Sequence, residues 1–321
     1  MVGKLTKDNQ ASCSILSSIL EKNPWKSRTE QLADCILANE GKVIRFDQNS
    51  IMRMGDVLEG PLLREAIYRL DLAFGKVDLD ERVEHASIPL QGSLDGLCYA
   101  KEEGQTIKED PSNGIYVMNE AKEIFIEGEG VMECKCTSTY PEDVPADFRG
   151  PIQIQGLMDC IGANYGVLVV LYQSVHLKIF VYPKDVGMAQ EIRDSVIDFD
   201  RRIQEKDFYP PANPNDAAII HPEAKEERIE LEVDAVDFID LYRQANISIK
   251  YWEGIKKDAT VELQKLLGDY EEGSCEAKEG LYVVKWPNRN FKPQPEKTIE
   301  AKPGYTVRSK TITIKEYENE S

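Results

Sequence analysis

"VMECKCTST", residues 131–139, opens with an apolar pair and then alternates charge with sulfur: Glu133, Cys134, Lys135, Cys136. Val131 and Met132 read as residues of a strand buried on at least one side. Strand side chains repeat every two residues, so Glu133 and Lys135 share a face. Glu-x-Lys by itself is common in an acidic chain, as at Glu223–Lys225, and usually marks a solvated ion pair. The apolar approach sets residues 133–135 apart, because a carboxylate and an amine drawn toward a buried face need a reason.

Other polar residues stand at the ends of neighbouring elements. "GSLDGLCYA" (92–100) is a short strand with Asp95 inside it. "MGDVLEGPLLREAIYRLDLAFG" (54–75) has the apolar spacing of an amphipathic helix, with a stripe through Leu58, Leu62, Leu63, Ala66, Ile67 and Leu70. Glu59 falls in the first turn of the pattern that Gly55 opens. "GPIQIQGLMDCIGAN" (150–164) reads as a helix with Pro151 in its first turn and Gln153 just behind it. Two carboxylates converging from adjacent strands can hold a hard divalent cation through oxygen. A lysine on the same face can orient an attacking water or stabilise charge growing on a phosphate. A metal so held lowers the pKa of bound water and polarises a phosphoryl oxygen. Those parts hydrolyse phosphodiesters.

The rest of the chain sets the frame. Its 321 residues fit one large domain or two modest ones, and 41% hydrophobic content is enough for a real core. The net charge of -18 repels polyanions at long range, which argues against a protein that coats nucleic acid non-specifically. No run approaches a membrane span, and "MVGKLTKDNQ" has no signal-peptide apolar region, so a cytoplasmic protein is expected. Seven scattered cysteines read as reduced thiols. There is no CxxC, and with three histidines neither zinc nor an iron–sulfur cluster is expected; Cys134 and Cys136 read as bystanders.

Residues 1–50 are helical in patches. Residues 101–114 read as a loop, 115–138 as two or three strands, and 165–185 as a hairpin about "QSVH". Residues 205–232 carry prolines and charge and read as an exposed loop. A long amphipathic helix is expected over 233–268, stopped by Gly268, followed by strands at "GLYVVKW" and "YTVRSKTITIK". The order gives an α/β (α+β) core with a central mixed sheet flanked by helices, a long C-terminal helix and a small β tail.

An aspartate, a gap and then Glu-x-Lys resembles the PD-(D/E)xK nuclease signature. "SLDGL" followed by "MECKCTS" is similar to the viral recombinase subgroup, lambda exonuclease and the YqaJ-like nucleases. "MGDVLEGPLL" resembles the subgroup's helix with Gly-x-x-x-Glu, and "HASIPLQGSLDGL" its approach to the aspartate. "IQIQGLMDCIGANYGVLVVL" resembles its Gln-x-Gln helix and following strand. The tail, "KKDATVELQKLLGD" with "GLYVVKW" and "RSKTITI", looks like the ending of YqaJ-like proteins. The likeness covers roughly 50–185 well and 235–315 loosely.

The resemblance implies a restriction-endonuclease-like core over 51–200, an N-terminal helical segment at 1–50, an exposed loop at 201–232, and a long helix with a β extension at 233–321 packed on the core. It implies Asp95, Glu133 and the backbone carbonyl of Cys134 as metal ligands, and Glu59 acting through metal-bound water. Lys135 would position the nucleophilic water. Gln153, in preference to Gln155, would orient the lysine or the water. His85 matches a position usual in the family and is expected to make a structural hydrogen bond. The implied activity is Mg2+-dependent, with Mn2+ able to substitute: a 5′-3′ double-stranded DNA exonuclease of viral-type recombination. The alternatives are an endonuclease, or a non-catalytic DNA-binding module of the same fold. Implied partners are duplex DNA ends, further copies of the chain in a trimeric ring, and a single-strand annealing protein. The chain departs from the pattern in three ways. The gap from Asp95 to Glu133 is 38 residues, which the loop 101–114 is expected to absorb. The N-terminus lacks a clear "R…SE" start, leaving Arg45 and Arg53 as candidates for the phosphate-anchoring arginine. The acidity requires basic residues to cluster where DNA passes.

Overall fold

The computed structural model describes residues 6–42, 49–278 and 280–288. The chain divides into two compact units, residues 1–222 and 223–321. In chain order the first unit contains β1 (Ala11–Ser12), α1 (Leu16–Ile19), α2 (Arg28–Asn39), α3 (Ser50–Arg69), β2 (Phe74–Glu84), β3 (Leu90–Tyr99), β4 (Gln105–Lys108), β5 (Ile115–Val117), β6 (Glu123–Ile126), β7 (Glu129–Thr137), α4 (Pro151–Ile161), β8 (Tyr165–Tyr172), β9 (His176–Pro183), α5 (Val186–Glu205) and α6 (Pro214–Ile220).

A mixed sheet runs in the order β1-β3-β7-β8-β9-β5, with β2 paired to β3 off this path. β7 and β8 are parallel, which demands a crossover, and α4 supplies it. β8 is buried along its whole length, and its sequence "YGVLVVLY" is the continuous apolar run of a strand covered on both faces. It turns into antiparallel β9 through Gln173 and Ser174, both at positive φ (50° and 63°), a pattern that matches the right-handed twist of a tight hairpin. On one side of the sheet, Leu63, Ala66 and Leu70 of α3 pack on Met132, Val167, Val169 and Val181. On the other, α1, α2, α4 and α5 pack on Val131, Leu168, Val170, Tyr172 and Phe180. Burying each such side chain contributes about 1.5–3 kcal/mol.

The expected α/β class with a mixed sheet holds, and several element boundaries move. The helix expected over 54–75 starts at Ser50 and stops at Arg69. Asp71 takes a left-handed turn (φ 51°), and the Ala73 amide donates to the Tyr99 carbonyl, so "FGKV" enters β2 instead. The expected loop 101–114 contains β4, which pairs with β6 in a separate two-stranded sheet, and a capped turn at Pro111–Asn113. β5 then crosses to the far edge of the main sheet and lies parallel to β9. The residues between Asp95 and Glu133 are thus mostly paired backbone. α5 was not anticipated, although Ala189, Ile192, Val196, Phe199 and Ile203 bury a stripe at spacings of three and four. Within the expected loop 205–232, α6 forms because the Asn213 side chain caps it, and because Asp216, 1% exposed, accepts from Ser27 Oγ and the Ala212 amide.

The second unit contains α7 (Ala235–Leu267) and a hairpin of β10 (Glu272–Ala277) and β11 (Gly280–Lys285). Gly268 ends α7 at φ 55°. Arg45 and the expected strand "YTVRSKTITIK" lie outside the described residues. Among the described residues no helix is long and apolar enough to cross a membrane.

Candidate active site

β7 holds the site because its two edges have different partners. Toward β3 the antiparallel ladder covers Glu129 to Met132 and stops at the pair Gly96–Met132. Toward β8 the parallel ladder continues from Val131 to Thr137. From Glu133 onward, therefore, β7 loses its β3 neighbour but keeps its place in the sheet. Asp95 sits one residue before the last β3 partner. Its Oδ2 accepts from the Cys134 amide at 2.9 Å, so a side chain takes over where the backbone ladder ends. The carbonyl of a strand residue points to the same side as its amide, so the Cys134 carbonyl also faces the gap between β3 and β7.

Glu133 lies on the face of β7 that carries Val131, and its side chain is 2% exposed. Its Oε1 accepts from Lys135 Nζ at 2.5 Å. Its Oε2 is buried and has no hydrogen-bond partner among the described residues. Burial and the neighbouring Asp95 charge push the Glu133 carboxyl up to about 8, although Lys135 pulls it down. Burial likewise raises Asp95. For Lys135, burial lowers the pKa, but the Glu133 and Asp95 carboxylates outweigh it and the net shift is upward. The amine is a protonated donor in the metal-free protein, not a base.

The other expected residues surround this centre. Glu59 is half-buried on α3, and its charge acts on Glu133 and Cys134. Asp56, one turn earlier, acts on Asp95 and escaped the sequence reading; its spacing of three from Glu59 puts both on one helix face. Arg53 is exposed on the same helix. Gln153, half-buried, is the third residue of α4. Gln155 is buried and committed to structure: its Nε2 donates to the Pro183 carbonyl and its Oε1 accepts from the Asp185 amide, each at 2.9 Å. His85 Nε2 lies 3.2 Å from Asp159 Oδ2. That carboxylate also takes a two-pronged contact from Arg193 and an ion pair from Lys184. His85 thus joins a buried charge cluster that ties β2, α4 and α5 together.

The donor set can be tested against a metal. Among the described residues no group of three or more His, Cys, Asp or Glu side chains converges to hold an ion. Two carboxyls, one with an orphaned buried oxygen, face a gap lined by a main-chain carbonyl. That set fits Mg2+, which keeps several waters and needs only one or two carboxylates. The cysteines are free thiols: Cys134 is half-buried, and Cys136 is exposed with its pKa lowered to about 7 by a hydrogen bond with Cys134 and by Lys135.

No protein-family model and no curated protein matches the chain. Among solved structures it is similar to an alkaline exonuclease (LHK-Exo) from Laribacter hongkongensis, at 17% identity over 62% of this chain and 90% of that one, with a TM-score of 0.45. The same protein in complex with dAMP gives the same figures. It is also similar to a phage related exonuclease from Haemophilus somnus 129PT, at 14% identity over 62% of this chain and 96% of that one, with a TM-score of 0.40.

Proposed function

We propose that the chain is a divalent-metal-dependent deoxyribonuclease that hydrolyses phosphodiesters at DNA ends. The observation that carries this reading is the buried, unpartnered Oε2 of Glu133, set against Asp95 and a protonated Lys135 where β3 and β7 part. A buried carboxyl oxygen left without a hydrogen-bond partner costs the fold roughly 1–3 kcal/mol, and a cation bound to the deprotonated group would remove that cost. Asp95, Glu133 and the Cys134 carbonyl would hold the ion, with Glu59 reaching it through water. When bound, Mg2+ would lower the pKa of a coordinated water and polarise the phosphoryl oxygen. Lys135 donates to the attacking water and fixes its line of approach; its charge also offsets the negative charge that grows on the phosphate. Gln153, at the start of α4, orients the lysine or that water.

In the fuller reading the enzyme is a 5′-3′ exonuclease on double-stranded DNA in viral-type recombination, a role that rests on the sequence resemblance. It uses Mg2+ or Mn2+ and works as a homo-oligomer, a trimeric ring being favoured, together with a single-strand annealing protein. The test is incubation with linear and covalently closed duplex in Mg2+ and in chelator. Loss of the linear form alone, only with metal, is expected. Nicking or linearisation of the closed form would make it an endonuclease. No cleavage of either form, with binding retained, would make it a DNA-binding module.

A further inference from the structure

Trp25 is 74% exposed, in the segment just ahead of α2. It is not a stray surface residue. Its ring meets Phe148 edge-on, with centroids 4.5 Å apart. The Arg149 guanidinium lies 5.3 Å from the centroid of the Phe148 ring. Arg149 in turn is fixed from two sides: Nη1 donates to Thr137 Oγ1 and Nε to Glu142 Oε2, both at 3.0 Å. Thr137 is on β7 and shares the face of Glu133 and Lys135. Two residues along a strand span about 7 Å. A continuous set of contacts therefore leads from the Lys135 face, through Thr137, Arg149 and Phe148, to the exposed ring of Trp25.

We infer that Trp25, braced by Phe148 and Arg149, is a stacking platform for an unpaired nucleobase of the DNA strand that passes the Glu133–Lys135 face. Three observations favour a nucleobase as the occupant. The ring is flat and 74% exposed, held by one T-shaped contact with Phe148, which leaves ring surface open to a stacking partner. The bracing runs back to the strand that carries the reacting groups, so a strand lying along that face reaches the ring. Basic groups stand beside the ring: Lys22 and Lys26 are its neighbours in sequence, Lys26 paired with Asp34, and Arg149 stands behind it paired with Glu142, in a chain whose net charge is -18. An aromatic ring with basic neighbours holds single strands with little regard to sequence, because every base has a π-face. The location of the strand rests on the nuclease reading; the stacking does not depend on cleavage.

The test separates the two. The chain has three tryptophans, Trp25, Trp252 and Trp286. The full-length W252F/W286F variant reports Trp25 alone. Titration with an end-labelled dT12 strand in EDTA is expected to quench Trp25 emission in step with the rise in label anisotropy. Trp25→Ala should weaken dT12 binding about tenfold, the range of one base–aromatic stack, and Trp25→Phe should restore most of it. Hydrolysis of methyl p-nitrophenyl phosphate, which has no base, should be unchanged in Trp25→Ala. Saturated binding with Trp25 emission unmoved would overturn the platform, as would the absence of any dT12 binding. Quenching by dT12 in a protein that cleaves no phosphodiester would keep the platform and overturn the nuclease reading.

Discussion

In the proposed mechanism Lys135 is the residue that handles the attacking water. Its ammonium is held 2.5 Å from Glu133 Oε1 and is 34% exposed, so it can reach a substrate. Lys135→Ala is expected to leave DNA and metal binding largely intact and to lower turnover by roughly 100-fold or more, the usual scale for a lost donor that stabilises developing charge; near-normal turnover in the purified variant would remove it from the mechanism. Glu133 makes a prediction about pH. Its folded carboxyl titrates at about 8, above the ordinary glutamate value of 4.5. Between those values the folded state holds a proton that the unfolded state has lost, so in chelator the fold should weaken as pH rises from about 4.5 to 8. Glu133→Gln keeps the neutral form at all pH values. In urea melts with EDTA it should match the parent near pH 5 and exceed it near pH 8.5. Because a metal displaces that proton, Mg2+ affinity measured by titration calorimetry should rise from pH 6 to pH 8 in the parent protein.

At the scale of elements, the site depends on how α4 enters. Gly150 has φ 129°, and a Cβ there would lie 2.5 Å from Leu168 Cδ1, in the middle of β8. Gly150→Ala combines backbone strain with overpacking and should cost roughly 2–4 kcal/mol in urea denaturation. Gln153 and the α4 N-terminus should shift with it. Strand β7 also carries Cys134 and Cys136, the residues that look most like ligands. Cys134→Ser with Cys136→Ser is expected to keep activity and bind no zinc; stoichiometric zinc in the parent, lost in the double variant, would reverse that reading. The elements legible in the sequence are those whose partners are close or whose period is strong: α4, the β8–β9 hairpin and α7. β2 was missed because its charged residues suit an exposed strand, and its pairing with β3 carries a register shift between Val77 and Glu81. β4 was missed because "QTIK" is defined by its pairing with β6, from Gln105 with Ile126 to Lys108 with Glu123, not by its own pattern.

For the whole molecule the proposed function asks how a chain of net charge -18 would hold DNA. α7 carries Phe238, Leu241, Ile249, Trp252, Ile255 and Leu263 along one stripe, and all six stand exposed. Contiguous apolar surface on that scale marks an interaction site. Self-association along it would suit the ring expected from the sequence resemblance, with basic residues turned toward the DNA. Light scattering at micromolar concentration should give a multiple of 36.4 kDa, three being favoured, and cleavage in a trap assay should be processive. A single-chain mass with distributive cleavage would rule the ring out. Binding to duplex ends should fall steeply between 50 and 200 mM salt, as counterion release requires.

The sequence by itself determined the α/β class, the strand that carries Glu133 and Lys135, and their common face, because a period of two is a local property of the chain. It also singled out Asp95 and Glu59. What only the tertiary structure decided is non-local. The ladder between β3 and β7 ends at Gly96–Met132, so the Asp95 side chain replaces it and a gap opens there. Glu133 is buried deeply enough to raise its pKa and leave one oxygen without a donor. Trp25, from the far end of the chain, comes to Phe148 and through Arg149 to the same strand. Desolvation and juxtaposition depend on which segments cover a residue, and that information is spread over the whole fold.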